Sequence, residues 1–298
     1  MHIVSRTRPT MILLGILSLV FGILIDTFVF PDIAPFLPYI PLMIMIGFLS
    51  RYLLTSLLFP LLFVSISFVV STSIWSIESF LLKWFTFTLT ALVVRMLVNN
   101  IEKEKQNLLD FTSSLTESLD ARDKYTSYHS HNVAYYSREI AQAMKLSRKE
   151  CENLYVGGLL HDIGKIGVPE NVLNKPSRLT NEEFELIKQH PQMGYNILKH
   201  VPVFKNNSIL EIVLHHHEKY NGTGYPQGLT GIDIPLAARI MAIADSFDAM
   251  TSKRIYRDKP NLDYAKTELI NGKTTQFDPE IVDVFLNLLE KRKIIVKS

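Results

Sequence analysis

Histidine is concentrated in one part of this 298-residue chain, because eight of its nine histidines lie between His129 and His217. Within that span His161 is followed directly by Asp162, and three consecutive histidines end at His217. Imidazole nitrogens and carboxylate oxygens are common ligands of divalent metals in proteins. The pattern therefore predicts a metal centre, and the lack of thiolate partners favours iron or manganese over a structural zinc ion.

Asp162 and Lys165 are the residues that we expect to do chemistry on a phosphate group. The Asp162 carboxylate has two oxygens and can bridge two cations, and Lys165 follows three residues later on the same helical face. Two cations about 3.5 to 4 Å apart lower the pKa of a water between them and polarise phosphoryl oxygens. These residue types predict metal-dependent hydrolysis of a phosphate ester, with the Lys165 ammonium on a phosphate oxygen.

A glycine-rich turn, Asn221 to Pro226, follows the last of these histidines. Gly222 and Gly224 permit positive φ angles and a close approach of the backbone to a ligand, and the Tyr225 ring can stack on a base. Turns of this composition occur in loops of every function. The turn therefore predicts a substrate loop only in combination with the metal pattern.

Two arginines, Arg254 and Arg257, follow Asp245 at a spacing of three residues. Guanidinium groups bind phosphate oxygens in a bidentate manner, so both arginines are candidates for holding a phosphate. The alternative is that they are surface residues stabilised by the dipole at a helix end.

Seven segments, which lie in order between about residues 106 and 292, closely resemble the HD-GYP domain of bacterial cyclic-di-GMP phosphodiesterases. They are Asp120–Ser130, His161–Pro169, Leu173–Pro176, His190–Pro191, His215–Glu218, Asn221–Pro226 and Ala244–Ser252. The resemblance implies an all-α bundle and a hydrolase of the HD superfamily. It does not extend to the N-terminal hundred or so residues.

The resemblance also implies which side chains hold metal ions. The first site would be formed by His129, His161, Asp162 and Asp245. The second would be formed by Asp162 as the bridge, His190, His216 and, as a weaker candidate, His217. Some family members bind a third ion through a glutamate one turn before the first histidine, where this chain has Tyr125. We therefore expect two ions, iron or manganese.

In the resembled family the Gly-Tyr-Pro loop shapes the active site, and cationic side chains hold the substrate phosphates. The residues of this chain at those positions are Lys165, Gly222, Gly224, Tyr225, Pro226, Arg254 and Arg257. The expected reaction is hydrolysis of cyclic-di-GMP to linear pGpG, to GMP, or to both.

The chain after residue 124 is predicted to be helical, and no alternating strand pattern competes with that prediction. Helix starts are indicated by capping boxes and by a cap before a first-turn proline, at Ser147, Thr180, Ser208 and Asp278. We expect helices at about 127–144, 147–163, 180–199, 208–218, 235–251, 263–271 and 279–291. The fold class is therefore all-α.

Four apolar stretches precede residue 99, at about 11–30, 35–49, 53–70 and 80–98. Their lengths suit membrane-spanning helices, although the second begins with closely spaced prolines and could be re-entrant. The two loops that would face outwards carry no lysine or arginine, which is the positive-inside pattern. We predict a multi-pass protein of the bacterial cell membrane, with membrane lipid as a partner and a cytoplasmic catalytic domain.

Residues 99–123 are interpreted as a linker or signalling helix between a transmembrane region, 1–98, and a phosphohydrolase domain, 124–298. Ile101, Leu108 and Leu115 are spaced by seven, which predicts a short coiled-coil seam and a homodimer formed through the linker. The alternative is an amphipathic helix packed on the core of the domain.

A net charge of +2 gives no sign of a nucleic-acid polymer as partner, and one cysteine excludes an internal disulfide and suits a reducing cytosol. The leading hypothesis is a membrane-anchored phosphodiesterase for cyclic-di-GMP in second-messenger signalling. Two alternatives remain: a non-catalytic receptor or scaffold that binds a cyclic dinucleotide, and an HD phosphohydrolase that acts on another nucleotide.

Overall fold

The computed structural model describes seven stretches of the chain: residues 3–28, 37–50, 52–70, 76–122, 128–205, 207–252 and 262–291. Within them the chain forms thirteen α-helices and four short 3-10 helices, and its only β pairing consists of two isolated bridges. The chain divides into two compact units, Met1–Asn107 and Leu108–Ser298. The all-α prediction is confirmed for the described residues.

The N-terminal unit contains α1 (Ile3–Phe28), α2 (Ile40–Leu49), α3 (Leu53–Val70) and the first part of α4 (Ile77–Arg122). Its helices surround a small core in which Tyr39, Met43, Val64, Phe87 and Ala91 are buried. Their outer faces are apolar as well, with many leucine, valine and phenylalanine side chains half exposed or more.

Among the described residues, one helix, α4, is both long enough and apolar enough to cross a membrane. Three other apolar helical segments, Leu13–Ile25, Ile40–Leu49 and Leu53–Ser67, are shorter. The prediction of four membrane-spanning helices is therefore not confirmed.

The predicted fourth span and the predicted linker form one continuous helix of 46 residues, α4. In the C-terminal unit Leu108 packs against a buried apolar cluster, and Leu119 is 7% exposed. Phe111 on the same helix is 63% exposed. The residues after position 107 thus form an amphipathic helix packed on the core of the domain, while the coiled-coil dimer stays a prediction.

The C-terminal unit adds nine helices to the end of α4. They are α5 (His129–Ala143), α6 (Arg148–Leu160), α7 (Glu170–Leu173), α8 (Asn181–Ile187), α9 (His190–Leu198), α10 (Ile209–His215), α11 (Leu236–Thr251), α12 (Leu262–Asn271) and α13 (Pro279–Glu290). The predicted capping boxes at Ser147 and Thr180 and the cap at Asp278 are formed. The box predicted at Ser208 is not formed, and the Asn207 side chain accepts the first amide of α10.

The prediction of one helix at 180–199 is wrong in one respect. The segment forms two helices, α8 and α9, which are separated by Lys188 and Gln189. Pro191 lies in the first turn of α9 and explains the break, since its ring would clash with the carbonyl of Ile187 in a continuous helix. The freed carbonyl of Ile187 accepts a hydrogen bond from the side chain of His190.

Two features of the core hold the helices in place. The rings of Tyr136, Phe247 and Phe285, from α5, α11 and α13, meet edge to face with centroids 4.8 to 6.4 Å apart. Gly158 of α6 faces Ala134 of α5, where a Cβ atom would lie 2.5 Å from the Ala134 Cα. Any larger residue would push α6 away from α5 and separate the beginning of one helix from the end of the other.

Candidate metal centre

Four helix ends and the middle of a fifth helix meet at one place in the C-terminal unit. α5 begins at His129 and α6 ends just before His161, while α9 begins at His190 and α10 ends just before His216. α11 contributes Asp245 from its interior. Residues that are far apart along the chain are thus brought together by the packing of these five helices.

His129, His161 and Asp245 form the first group of candidate ligands. One nitrogen or oxygen atom from each lies within 4.8 Å of the others. Asp245 Oδ1 is 3.2 Å from His129 Nε2, and the His129 and His161 rings have centroids 5.4 Å apart. Since imidazole and carboxylate ligands bind an ion at about 2.0 to 2.2 Å, these separations suit one shared cation.

Asp162, His190, His216 and His217 form the second group. Asp162 Oδ1 is 3.2 Å from His190 Nε2 and 4.0 Å from His216 Nε2. The other oxygen of Asp162 is 3.3 Å from Nε2 of His161 in the first group. Asp162 therefore lies between the two groups, where a bridging carboxylate is expected. The structure brings all seven predicted ligands together, and their roles as ligands stay a prediction.

The orientation of the imidazole rings fits a bound cation. In His161, His190 and His216, Nδ1 lies 2.8 to 3.0 Å from the backbone carbonyl oxygen three residues earlier. A carbonyl can only accept a hydrogen bond, so Nδ1 carries a proton, and each ring in its neutral form would present the lone pair of Nε2 to the centre. Nε2 of His161 is buried and has no hydrogen-bond partner among the described residues. This donor set suits a divalent metal ion.

The first group is a strongly paired acid-base cluster. Burial lowers the pKa of His129, but hydrogen bonds to Asp245 and Asp248 outweigh burial and raise that pKa to about 10. Burial raises the pKa of Asp245, but the hydrogen bond and positive charge of His129 prevail and hold it below its usual range. The free protein therefore keeps a protonated imidazole beside an ionised carboxylate at neutral pH.

In the second group, burial lowers the pKa values of two histidines instead of being outweighed by carboxylates. Burial and the neighbouring His217 hold the pKa of His216 well below its usual value. Burial also lowers the pKa of His217, to about 4. Burial raises the pKa of Asp162, but the charge of Lys165, 2.7 Å away, and the neighbouring His161 and His190 together outweigh burial and hold that pKa well below its usual value. At neutral pH His216 and His217 are neutral beside an ionised Asp162.

Asp248 is a functional candidate that the sequence analysis missed. It is fully buried, and its Oδ2 lies 2.7 Å from Nδ1 of His129. It holds the His129 ring with Nε2 towards the centre, as a carboxylate behind a metal-binding histidine does. Its position three residues after Asp245, on the same face of α11, was the available signal.

The Gly-Tyr-Pro turn lies against the second group. The Tyr225 ring is tilted by 32° over the His217 ring with centroids 4.8 Å apart, and the Tyr225 amide donates to the His217 carbonyl at 3.2 Å. Gly222 has a φ of 80°. Gly224 packs so closely on the chain that a Cβ would lie 2.3 Å from the Lys219 nitrogen. Gly222 thus has the predicted positive φ angle, whereas the close approach at Gly224 is to the chain's own backbone, and approach to a ligand stays a prediction.

Glu218 fastens the end of this turn, and sequence reasoning did not single it out. It is 3% exposed. Its two carboxylate oxygens accept the amides of Gln227 at 2.7 Å and Leu229 at 3.1 Å. These two hydrogen bonds link residues 227–229 to Glu218, which follows the end of α10 by three residues.

Two further histidines lie outside the ligand groups, and three residues named in the sequence analysis lie outside the described residues. His131 is 3.8 Å from Glu117, and His215 is 3.9 Å from Glu218. Both are separate from the two ligand groups. Arg254 and Arg257 lie outside the described residues, as does Tyr125.

Comparison with known proteins assigns the chain to a protein family. The family model described as HD domain matches residues 97–281. The chain belongs to the HD domain family. All the residues of both ligand groups lie within the matched part of this HD domain protein.

Characterised relatives of this HD domain protein have cyclic dinucleotides in their names. A cyclic di-GMP phosphodiesterase of Thermotoga maritima is 41% identical over 187 residues, 60% of this chain and 50% of that protein. A Vibrio cholerae enzyme of the same name is 39% identical, over 60% of this chain and 39% of its own. A 3'3'-cGAMP-specific phosphodiesterase of V. cholerae is 33% identical, over 63% and 36%. The chain spans half the length of these relatives or less.

A solved structure supports the fold. The crystal structure of a cyclic GMP-AMP-specific phosphodiesterase of V. cholerae aligns with a TM-score of 0.50 and 22% identity, covering 61% of this chain and 49% of that one.

Proposed function

We propose that this protein is a metal-dependent phosphodiesterase that hydrolyses cyclic-di-GMP to linear pGpG, to GMP, or to both. The observation that carries the proposal is the position of Asp162, whose two oxygens lie 3.2 and 3.3 Å from histidines of two different ligand groups. Family membership and the names of the relatives support a cyclic dinucleotide as the substrate class.

His129, His161, Asp162 and Asp245 would hold one ion, and Asp162, His190, His216 and His217 the other. Iron or manganese is proposed, since neither group contains a thiolate. When bound, the two ions would supply a polarised water and neutralise charge on the phosphoryl oxygens.

The chain's own groups would position and neutralise the substrate. Lys165, beside Asp162, would donate to a non-bridging phosphate oxygen as negative charge develops there. Tyr225, which covers His217, would stack on a base and restrict water at the second group. Gly222, Gly224 and Pro226 would shape that wall of the site, and Arg254 and Arg257 would hold the phosphates.

We also propose that the N-terminal unit anchors the protein in the bacterial cell membrane, with the HD domain in the cytoplasm. The length and composition of α4 and the apolar outer faces of α1 to α3 support the proposal. Fractionation of cells should leave the full chain in the membrane pellet after an alkaline carbonate wash. Recovery in the wash would contradict anchoring by spanning helices.

The test of the activity uses the full chain, loaded anaerobically with iron(II) or manganese(II). We expect turnover of cyclic-di-GMP and formation of pGpG or GMP, identified by chromatography and mass spectrometry. A folded sample with two bound ions that leaves cyclic-di-GMP intact would contradict the proposal. Binding without turnover would instead support the receptor or scaffold alternative.

The second candidate substrate is 3'3'-cGAMP, because relatives named as specific for it are 33 to 38% identical to this chain. Competition between the two dinucleotides in one reaction would rank them by kcat/KM. Preference for a linear nucleotide over both would point to an HD phosphohydrolase of another kind.

A further inference from the structure

Arg122, the last residue of α4, lies against the loop that follows Asp162. Its Nη1 donates to the carbonyls of Lys165 at 3.2 Å and Ile166 at 2.9 Å. Its Nη2 donates to the carbonyl of Val168 at 2.7 Å. One guanidinium therefore donates to three carbonyls of a single loop, a task that suits a planar group with several donors in a fixed geometry.

Arg122 is itself held in place by two further contacts. Its Nε donates to Glu170 Oε2 at 3.1 Å. Its backbone carbonyl accepts from Asn174 Nδ2 at 3.0 Å, and the same amide donates to Glu170 Oε1 at 3.0 Å. The guanidinium cannot rotate away from the loop without breaking several of these bonds.

The end of α4 also binds the chain on the other side of Asp162. Thr116 Oγ1 donates to the carbonyl of Leu159 at 2.8 Å, two residues before His161. Asp120 accepts a hydrogen bond at 3.1 Å from Ser130, the residue after His129. The last two turns of α4 thus contact the segments before and after the bridging carboxylate.

We propose that Arg122 is a positioning residue that acts through Lys165. The inference rests on the proposed phosphodiesterase function. Lys165 lies in a 3-10 turn of five residues, Ile163–Gly167, and its Nζ is 2.7 Å from Asp162 Oδ2. By fixing the carbonyls of that turn, Arg122 sets where the Lys165 ammonium stands relative to a phosphate oxygen. Displacement by about 1 Å at such a group costs up to about a hundredfold in rate.

The test compares three variants of the full chain. Arg122→Gln removes the guanidinium, Arg122→Lys keeps the charge but not the fork, and Arg148→Gln is the matched control. Arg148 has a side chain of similar exposure, 37% against 28%, and pairs with Glu152 at 2.9 Å away from the loop. We expect kcat to fall roughly 10 to 100-fold in Arg122→Gln. Arg122→Lys should fall less, and Arg148→Gln should be unchanged.

A double-variant cycle separates positioning from general support of the fold. If Arg122 acts through Lys165, Arg122→Gln should lower kcat by less than about twofold when Lys165 is already alanine. Metal content should stay at the wild-type value in every variant. Unchanged kcat in Arg122→Gln, or losses that multiply in the double variant, would overturn the inference.

Amide hydrogen exchange provides a readout that does not need activity. The peptide covering residues 161–173 should exchange faster in Arg122→Gln than in wild type, and at the wild-type rate in Arg148→Gln. Equal exchange in both variants would overturn the inference. If the wild-type protein proved inactive, the proposed function would fail, while faster exchange confined to Arg122→Gln would still support the fixing of the loop by Arg122.

Discussion

The two ligand groups lie side by side but differ in charge. In the first group, which also contains His161, the His129 imidazole contacts Asp245 of the group and Asp248 outside it, and hydrogen bonds to these two carboxylates raise the pKa of His129 to about 10. In the second group three imidazoles share the single carboxylate of Asp162. Burial keeps His217, with a pKa of about 4, neutral.

This contrast bears on how the centre would take up metal. A cation that enters the first group has to displace a proton, whereas His216 and His217 present lone pairs that are already free at neutral pH. In the second group burial keeps the imidazoles of His216 and His217 neutral. In the first group the hydrogen bond between His129 Nδ1 and Asp248 orients the His129 ring.

The largest effect is expected from Asp162→Ala, which removes the one carboxylate that serves both groups. We expect loss of both ions and a fall in kcat of about a thousandfold or more, because the proposed mechanism assigns several kcal/mol of transition-state stabilisation to the ions. Elemental analysis and single-turnover kinetics measure the two outcomes. Asp263→Ala, an exposed carboxylate on α12, is the control. Retention of both ions would remove Asp162 as the link between the groups.

Asp248→Asn tests the first group alone. The amide keeps the shape of the side chain but loses the charge that supports the His129 ring. Metal affinity of the first group should fall roughly 10 to 100-fold, with the second group unchanged. Titration with manganese(II), followed by electron paramagnetic resonance, resolves the two steps. Asp283→Asn, on the exposed face of α13, is the control. Equal weakening of both steps would contradict the division into two groups.

The pH dependence of metal binding should also differ between the groups. Between pH 6 and 8 His129 is protonated in the free protein, since its pKa is raised to about 10. Each unit of falling pH therefore lowers affinity at the first group by about tenfold through proton competition. His217 is already neutral, because its pKa is lowered to about 4, and should add no such dependence. Calorimetry in buffers of different ionisation enthalpy would count the released protons, and two equally pH-dependent steps would refute the contrast.

The smallest effect is expected from Tyr225→Leu, which tests whether substrate contacts the second group. Loss of the ring that covers His217 should raise KM roughly 5 to 10-fold, since stacking on a base is worth about 1 kcal/mol or more. Metal content should not change. Tyr225→Phe keeps the ring and should behave like wild type in steady-state kinetics. An unchanged KM in both variants would place the base elsewhere.

Much of the centre could be predicted because residue type alone restricts it. Imidazoles and carboxylates at this density have few other uses, and the resemblance assigned His190 and His216 although they lie in separate helices. Asp248 and Arg122 escaped prediction for a physical reason. Both act through hydrogen bonds to groups that only the tertiary fold brings near them, the ring of His129 and the carbonyls after Asp162.

The helices were predictable where local chemistry decides, as at the capping boxes of Ser147 and Thr180. Pro191 is a local signal for the break before His190, but the apolar periodicity continues across it and favours a single helix. Apolar composition alone did not settle the N-terminal unit, where among the described residues α4 is both long enough and apolar enough to cross a membrane.

Glu218 has a consequence for protein engineering. Because its carboxylate accepts hydrogen bonds from the amides of Gln227 and Leu229, it restricts the length of the segment between Glu218 and Gln227. Replacing residues 219–226 with a segment of equal length should preserve both hydrogen bonds. A segment one residue longer would leave the buried Glu218 carboxylate without its amide donors, and we expect it to destabilise the fold.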